Sequence, residues 1–351
     1  MQRTPAPTIA DVAERAGVSP ATASRALSNY GRVSKGTVEK VRSAAAEIGY
    51  RPNELARAMR VGSTRTIGLV IIADFTNAFF DRATKAIVDA ARAHDYQVLI
   101  TNTDEDIDVE QQAVLTLLDK QVDGLIIVPS LATEHPHLGT THLGGRPVVL
   151  IDRRIDELPL TSVTTDDASG TRAAVLDATA KGHRKLGFLI SAVGVLKFTR
   201  VAPTEMISTV RDRSDGFRRG ATDSNIPIAD QLWVYCADEP SSSEAAVASM
   251  LDSDMPPSVI FTSNNDMALA VLQVAGQRGL AIGRDLSLVT VDDSVWAAAM
   301  VPGISVIARP VEELGSIAVA RLVEQIESPG QDVERLVLPT QYISRSSVAT
   351  I

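Results

Sequence analysis

The chain has 351 residues, 45% of them hydrophobic and 22% charged, which is too long for one ordinary domain and apolar enough to bury a real core. Its single cysteine, Cys236, excludes an intrachain disulfide framework and fits a reducing compartment. No 18-residue apolar run and no apolar leader occurs in it, which argues against export and membrane spanning and for a cytoplasmic, nucleoid-associated protein. The net charge of −9 is an average of two unlike pieces: residues 1–65 hold 11 Lys and Arg against 5 Asp and Glu, a net of +6, and the remainder carries −15. A small basic head on a large acidic body is the asymmetry of a head that touches phosphate.

The first predicted helix runs from a Thr8 cap to Ala16, with Ile9, Val12, Ala13 and Ala16 on one face. Gly17 supplies the left-handed residue that ends it, and Ser19-Pro20 restarts the chain with a cap and a proline at the first helical position. The second helix, Pro20–Leu27, is small and polar on one side, with Ala21, Thr22, Ser24 and Arg25. A third follows Ser34 and carries Val38, Val41, Ala45 and Ile48 at helical spacing. A glycine turn between two short helices, the second with few bulky apolar residues, predicts a helix-turn-helix whose second helix lies in a major groove.

The run TIADVAERAGVSPATASRALSN, from Thr8 to Asn29, closely resembles the N-terminal signature of the LacI/GalR family of bacterial transcriptional regulators. The resemblance continues through Val33-Ser34 and Gly49-Tyr50-Arg51-Pro52-Asn53 and along nearly the whole chain. It implies that Pro20 and Ala21 meet base edges, that Arg25 reaches a guanine, and that Thr22, Ser24 and Asn29 contact the backbone, with Thr8 and Ser19 at the same face. It further implies a hinge helix from Asn53 to Arg60 that enters the minor groove. There Met59 stands at the wedge position usually held by leucine, Ala56 allows close helix approach, and Arg57 and Arg60 meet phosphate.

From Thr66 onward short apolar runs alternate with amphipathic helices. Strands are predicted at 67–73, 97–101, 124–128, 148–152, 186–191, 233–236, 259–262 and 286–292, and helices at 80–94, 109–121, 168–181 and 267–278. The pattern predicts an α/β fold of two doubly wound lobes with parallel sheets. Ligands of such lobes bind beyond the carboxyl ends of strands, where Asp74, Asn77, Asp152-Arg153, Asn264-Asn265-Asp266 and Asp292-Asp293 fall, with Phe79 and Phe80 near the first group. Carboxylates, amides and an arginine beside an aromatic ring suit a polyhydroxylated neutral ligand.

These positions resemble the sugar pocket of the same family and of periplasmic sugar-binding proteins, so the body is expected to be a two-lobed, type I periplasmic-binding-protein-like effector domain. By that resemblance Asn77, Phe79, Asp152, Arg153, Arg213, Asn265 and Asp292 line the pocket in the manner of pentose-binding proteins. Trp296 lies in a stretch like the family's Asp-Asp-x-x-Trp-Ala, and Ala78 replaces the usual proline. Residues 192–212 look like an insertion near the pocket mouth. No dinucleotide fingerprint, Walker A loop or Gly-x-Ser-x-Gly elbow is present, so neither an enzyme nor a cofactor is expected. His135, His137 and His142 read as solvated loop histidines, with no metal site. The expected organisation is a DNA-binding head and hinge at 1–62 and an effector and dimerisation domain at 63–351. The expected function is that of a homodimeric repressor released from double-stranded, palindromic operator DNA by a sugar. The alternative is a corepressor-dependent regulator that senses a purine or nucleoside.

Overall fold

The computed structural model describes residues 7–27, 33–51, 62–72 and 77–351. The expectations at Asn29, Asn53, Ala56, Arg57, Met59, Arg60 and Asp74 lie outside these residues. The chain divides into two compact units, residues 1–64 and 65–351.

In the first unit Thr8 caps α1 (Ile9–Ala16) through a reciprocal capping box with Asp11, and Gly17 takes φ 62 to turn the chain. Helix α2 (Pro20–Leu27) follows, then α3 (Lys35–Glu47), whose cap Ser34 accepts from Thr37 N at 3.2 Å. Val12, Ala13, Ala16, Ala23, Ala26, Val41, Ala44 and Ala45 form the core. Alanine dominates this list, so the three short helices cross closely instead of interlocking large side chains. Helix α2 buries only Ala23 and Ala26, and its Pro20, Ala21 and Arg25 are exposed.

The second unit holds two sheets. The first is built from β1 (Thr66–Ile71), β2 (Gln97–Asn102), β3 (Gly124–Ile127), β4 (Val148–Ile151), β5 (Thr161–Thr165) and β12 (Arg335–Leu338) in the order β12-β5-β4-β3-β1-β2. All of its pairs are parallel. Helices α4 (Ala78–Ala93), α5 (Ile107–Asp119), the single turn α6 (Thr140–Leu143) and α12 (Val311–Glu327) belong to this lobe. Cores lie on both faces of the sheet, one around Ile67, Leu69, Ile87, Leu314 and Leu322, the other around Val70, Leu125, Val114 and Leu117.

The second sheet runs β13-β11-β10-β9-β6-β8-β7. Its strands are β6 (Leu186–Ser191), β7 (Phe198–Thr199), β8 (Gln231–Cys236), β9 (Val259–Thr262), β10 (Ser287–Val291), β11 (Ser305–Ala308) and β13 (Gln341–Ile343). The two edge strands are antiparallel to their neighbours, where all-parallel lobes were expected. Helices α7 (Asp167–Ala180), α8 (Ser208–Asp223), α9 (Pro240–Leu251), α10 (Asn265–Gln277) and α11 (Val295–Ala299) surround it. Phe188, Phe217, Trp233 and Phe261 make one aromatic cluster beneath α8, with Phe188 and Phe217 stacked at 4.9 Å.

The chain crosses between lobes after β5, after β11 and after β12, so the cleft between them is framed by residues near 166, 309 and 339. Two of these crossings are tied together: Thr340 Oγ1 donates to Asp166 O at 2.8 Å. The 135–137 stretch departs from expectation. His135 and His137 are buried on either side of Pro136, at a tight turn, and only His142 is exposed.

Helix α8 passes so near α7 that a Cβ on Gly216 would fall on the backbone carbonyl of Ala168. Alanine in an unhindered helix gains roughly 0.8–1 kcal/mol over glycine. At Gly216 the obstruction is backbone and cannot swing aside, so the clash outweighs the propensity. Gly216→Ala is therefore expected to lower the melting temperature, and thermal unfolding followed by circular dichroism checks the sign.

Candidate functional site

The carboxyl ends of β1 and β4 in one lobe face those of β6, β9, β10 and β11 in the other across a cavity of about 380 Å³. Six of the eight residues expected at an effector site line it: Asn77, Phe79, Asp152, Arg153, Arg213 and Asp292. Asn265 and Trp296 do not. Asn264, the cap of α10, takes the wall position beside Asn265, and Trp296 is half-buried on the core of the second lobe.

Asp152 and Asp292 each end a strand in a left-handed conformation, with φ of 68 and 73. Aspartate tolerates this region better than most residues, yet it still costs about 1–3 kcal/mol, and such strain gathers at ligand sites. At Asp152 the turn closes by a 2.7 Å bond from Arg153 N to Ile151 O. Both carboxylates thereby meet a residue that the strand-end reading missed, Arg309, in the crossing that follows β11. Its Nε and Nη2 donate to the two oxygens of Asp292 at 2.6 and 2.7 Å, and its Nη1 donates to Asp152 Oδ1 at 2.5 Å. One guanidinium thus joins the two lobes. Burial opposes its charge, but Asp292, Asp152 and Asp167 more than offset that, and its pKa rises above the ordinary arginine value. The guanidinium carbon also lies 3.7 Å from the centroid of Phe79, so one face of the ring expected to cover a sugar carries Arg309 instead.

The other arginines are likewise held by fixed partners. Arg213 on α8 donates to Asp167 Oδ2 at 2.6 Å and to Ser263 O at 2.7 Å. Asp167 is buried, which by itself would raise its pKa, but Arg213, Arg309 and the Thr165 hydroxyl hold it below the usual carboxylate range. Arg153 donates from Nη1 to Glu105 Oε2 at 2.9 Å and to Pro129 O at 3.0 Å, and its buried Nε has no hydrogen-bond partner. Asn77 caps α4 by accepting from Phe79 N at 3.1 Å. Asp238, at the wall beyond β8, has its carboxyl pushed above the usual range by desolvation and by the charges of Asp266 and Glu105. Residues 192–195 and Ile207, from the long segment expected at the mouth, form part of the wall. The same segment pairs its β7 to the edge of β8.

The signal for Arg309 was available. Ser305–Ala308 is a short strand stopped by Pro310, and the strand-end rule applied there selects Arg309. Glu105, Asp167 and Asp238 carry no comparable signal, because single acids in polar loops are common.

In the head, Ser19 Oγ accepts from Thr22 N at 3.2 Å and shares a 2.9 Å hydrogen bond with Thr22 Oγ1, so these two build the start of α2. Arg25 Nε donates to Ala21 O at 3.1 Å, which folds the side chain along its own helix.

Residues 8–53 match the family described as bacterial regulatory proteins, lacI family, and residues 178–348 match a periplasmic binding protein-like domain. Catabolite control protein A of Priestia megaterium is 30% identical over 340 residues, covering 97% of this chain and 98% of that protein. A ribose operon repressor of Halalkalibacterium halodurans is 30% identical over 343 residues, covering 97% of this chain and 96% of that one. The crystal structure of the Lac repressor dimer bound to operator and the anti-inducer ONPF matches with a TM-score of 0.83 at 25% identity, covering 98% of this chain and 100% of that chain.

Removing one member of a buried ionic cluster leaves its partners charged and dry, at a cost of about 3–5 kcal/mol, whereas neutralising the whole cluster is often nearly free. Arg309→Met should accordingly destabilise the chain by that amount in denaturant titrations. Adding Asp152→Asn and Asp292→Asn to the same background should recover most of the loss. A triple variant as unstable as the single one would show that Arg309 acts by its shape and not by its charge.

Proposed function

Because the chain belongs to the LacI family of bacterial regulatory proteins, and so is a ligand-responsive DNA-binding regulator and not an enzyme, we propose that it is a repressor released from a palindromic operator by a sugar, with a pentose such as ribose as the favoured class. The observation that carries this reading is the convergence of Asn77, Phe79, Asp152, Arg153, Arg213 and Asp292 on one cavity between the lobes. An ionised carboxylate offers about four acceptor sites, and Arg309 uses one on each oxygen of Asp292 and one on Asp152. Acceptor capacity remains on both acids for ligand hydroxyls without displacing the guanidinium. A pentose that bridges Asp152 and Asp292 binds one arrangement of the lobes better than another, and only such a difference shifts the equilibrium.

The effector domain proposed at 63–351 would transmit that shift to a head and hinge at 1–62, acting as a homodimer because a two-fold operator presents two half-sites. The exposed face of α2 supports the DNA-binding assignments at Pro20, Ala21 and Arg25. Thr8, Ser19 and Thr22 would order the helix ends that approach phosphate, and Ser24 lies partly exposed on the same helix.

Thermal-shift titration of the purified chain against pentoses, hexoses, nucleosides and purine bases tests the effector class. A ligand at a hundredfold excess over its Kd adds about 2.7 kcal/mol to the native state. The expected result is a pentose response that is lost in Asp292→Ala and that lowers operator affinity in fluorescence anisotropy. A purine or nucleoside that instead tightens operator binding would establish the corepressor reading.

Arg25→Ala tests the head. If the side chain leaves Ala21 O and forks onto a guanine, the variant loses about 1–3 kcal/mol at the cognate base pair and discrimination there relaxes. Equal weakening on every sequence would make Arg25 a phosphate contact.

A further inference from the structure

The first lobe contains a second buried polar cluster whose side chains do not line the effector cavity. Glu110 on α5 is 0% exposed, and His135 and His137, which flank Pro136 in the connection after β3, are 9% and 5% exposed. Glu110 Oε1 faces both rings, 2.7 Å from His137 Nε2 and 3.8 Å from His135 Nδ1. Its Oε2 accepts from Ser130 N at 2.6 Å.

Burial alone would raise the pKa of Glu110, but the two imidazoles and Ser130 bring it down to about 2. Among the described residues the ion-pair partners of Glu110 are the two histidines, with no arginine or lysine. The Nδ1 atom of His135, which faces Glu110, is buried without a hydrogen-bond partner, and so is Nδ1 of His137.

One oxygen and two imidazole nitrogens lie within 4.8 Å of one another. Donors about 2.0–2.2 Å from a tetrahedral Zn²⁺ are separated by roughly 3.3–3.5 Å. The distances of 2.7 and 3.8 Å to Glu110 Oε1 straddle that value, and the three donors lie within 4.8 Å of one another, so binding an ion requires side-chain adjustment and no rebuilding of the backbone. Two imidazoles with one carboxylate favour a borderline-soft ion over Ca²⁺ or Mg²⁺, which take oxygen.

We propose that Glu110, His135 and His137 form a binding site for a divalent transition metal of the Zn²⁺ class, with a fourth position for water. The same connection supplies Pro129 O to Arg153, so an ion held here would stiffen the segment that anchors one side chain of the effector cavity.

The test uses the full-length chain, stripped with a chelator, desalted and titrated with Co²⁺ and then Zn²⁺. Binding of about one equivalent of Co²⁺ is expected, with the intense visible absorption of a four-coordinate ion that Zn²⁺ bleaches. Glu110→Gln and His137→Gln should lose this band, while His142→Ala, which removes an exposed histidine of α6, should keep it. Absence of the band in the unmodified chain overturns the proposal with no variant required. A band that survives in folded His137→Gln overturns it as well.

Discussion

The effector domain depends on a single buried guanidinium. Arg309 sits where the chain leaves the second lobe for the first, and it binds one carboxylate from each lobe, Asp152 and Asp292, while lying over Phe79. Taking an arginine and its acids out of water is expensive, and apolar residues of the same volume would often serve stability as well or better. What the ionic cluster supplies instead is direction. A guanidinium fork accepts partners only along fixed lines, so the strand ends that carry Asp152 and Asp292 are held in register across the cleft despite the strain of their left-handed backbones.

Charge also dominates the flanks of that cleft. Arg154, just after β4, forms a two-pronged bridge to Asp212 on α8 at 2.5 and 3.0 Å, and Arg211 reaches Asp156 at 2.7 Å. Thr133 donates to Glu205 in the long segment at 3.1 Å. By contrast, the apolar cores fall within the separate lobes. Half-exposed ion pairs are each worth little and are screened by salt. An interface of this kind can be rearranged by a ligand of modest differential affinity. A fully apolar one would demand more, because about 5.5 kcal/mol is already needed to carry a two-state equilibrium from 1:99 to 99:1.

The legible parts of the fold were those with local signatures. The Thr8 cap, the left-handed Gly17, the span Pro20–Leu27 and a third helix starting after Ser34 all follow from short-range chemistry, and the structure places them as read. All eight predicted strands occur. Two of the overlooked ones lack an apolar run of useful length: β5 is Thr-Ser-Val-Thr-Thr, wholly buried only because both neighbours and α12 cover it, and β7 has two residues. At the site, Asp152 and Asp292 were visible because strand ends are where such lobes bind ligands. Arg309 obeys the same rule, but its strand β11 is only four residues long and is not among the predicted strands. Trp296 was selected by resemblance and lies against the core of the second lobe, where burial of its ring takes precedence.

The two buried carboxylate clusters of the first lobe solve the same electrostatic problem by different means. Asp152 is answered by arginine, a cation that cannot lose its proton under any physiological condition and whose position is fixed by three further contacts, with Asp292 and Phe79. Glu110 is faced by two imidazoles, whose lone pairs can serve a metal. A permanent countercharge suits a residue that joins one carboxylate from each lobe. The imidazoles lie on a segment that is tied to the cavity only at second hand, through Pro129 and Arg153. The guanidinium thus stands in the cavity wall itself, and the imidazole pair one step behind it.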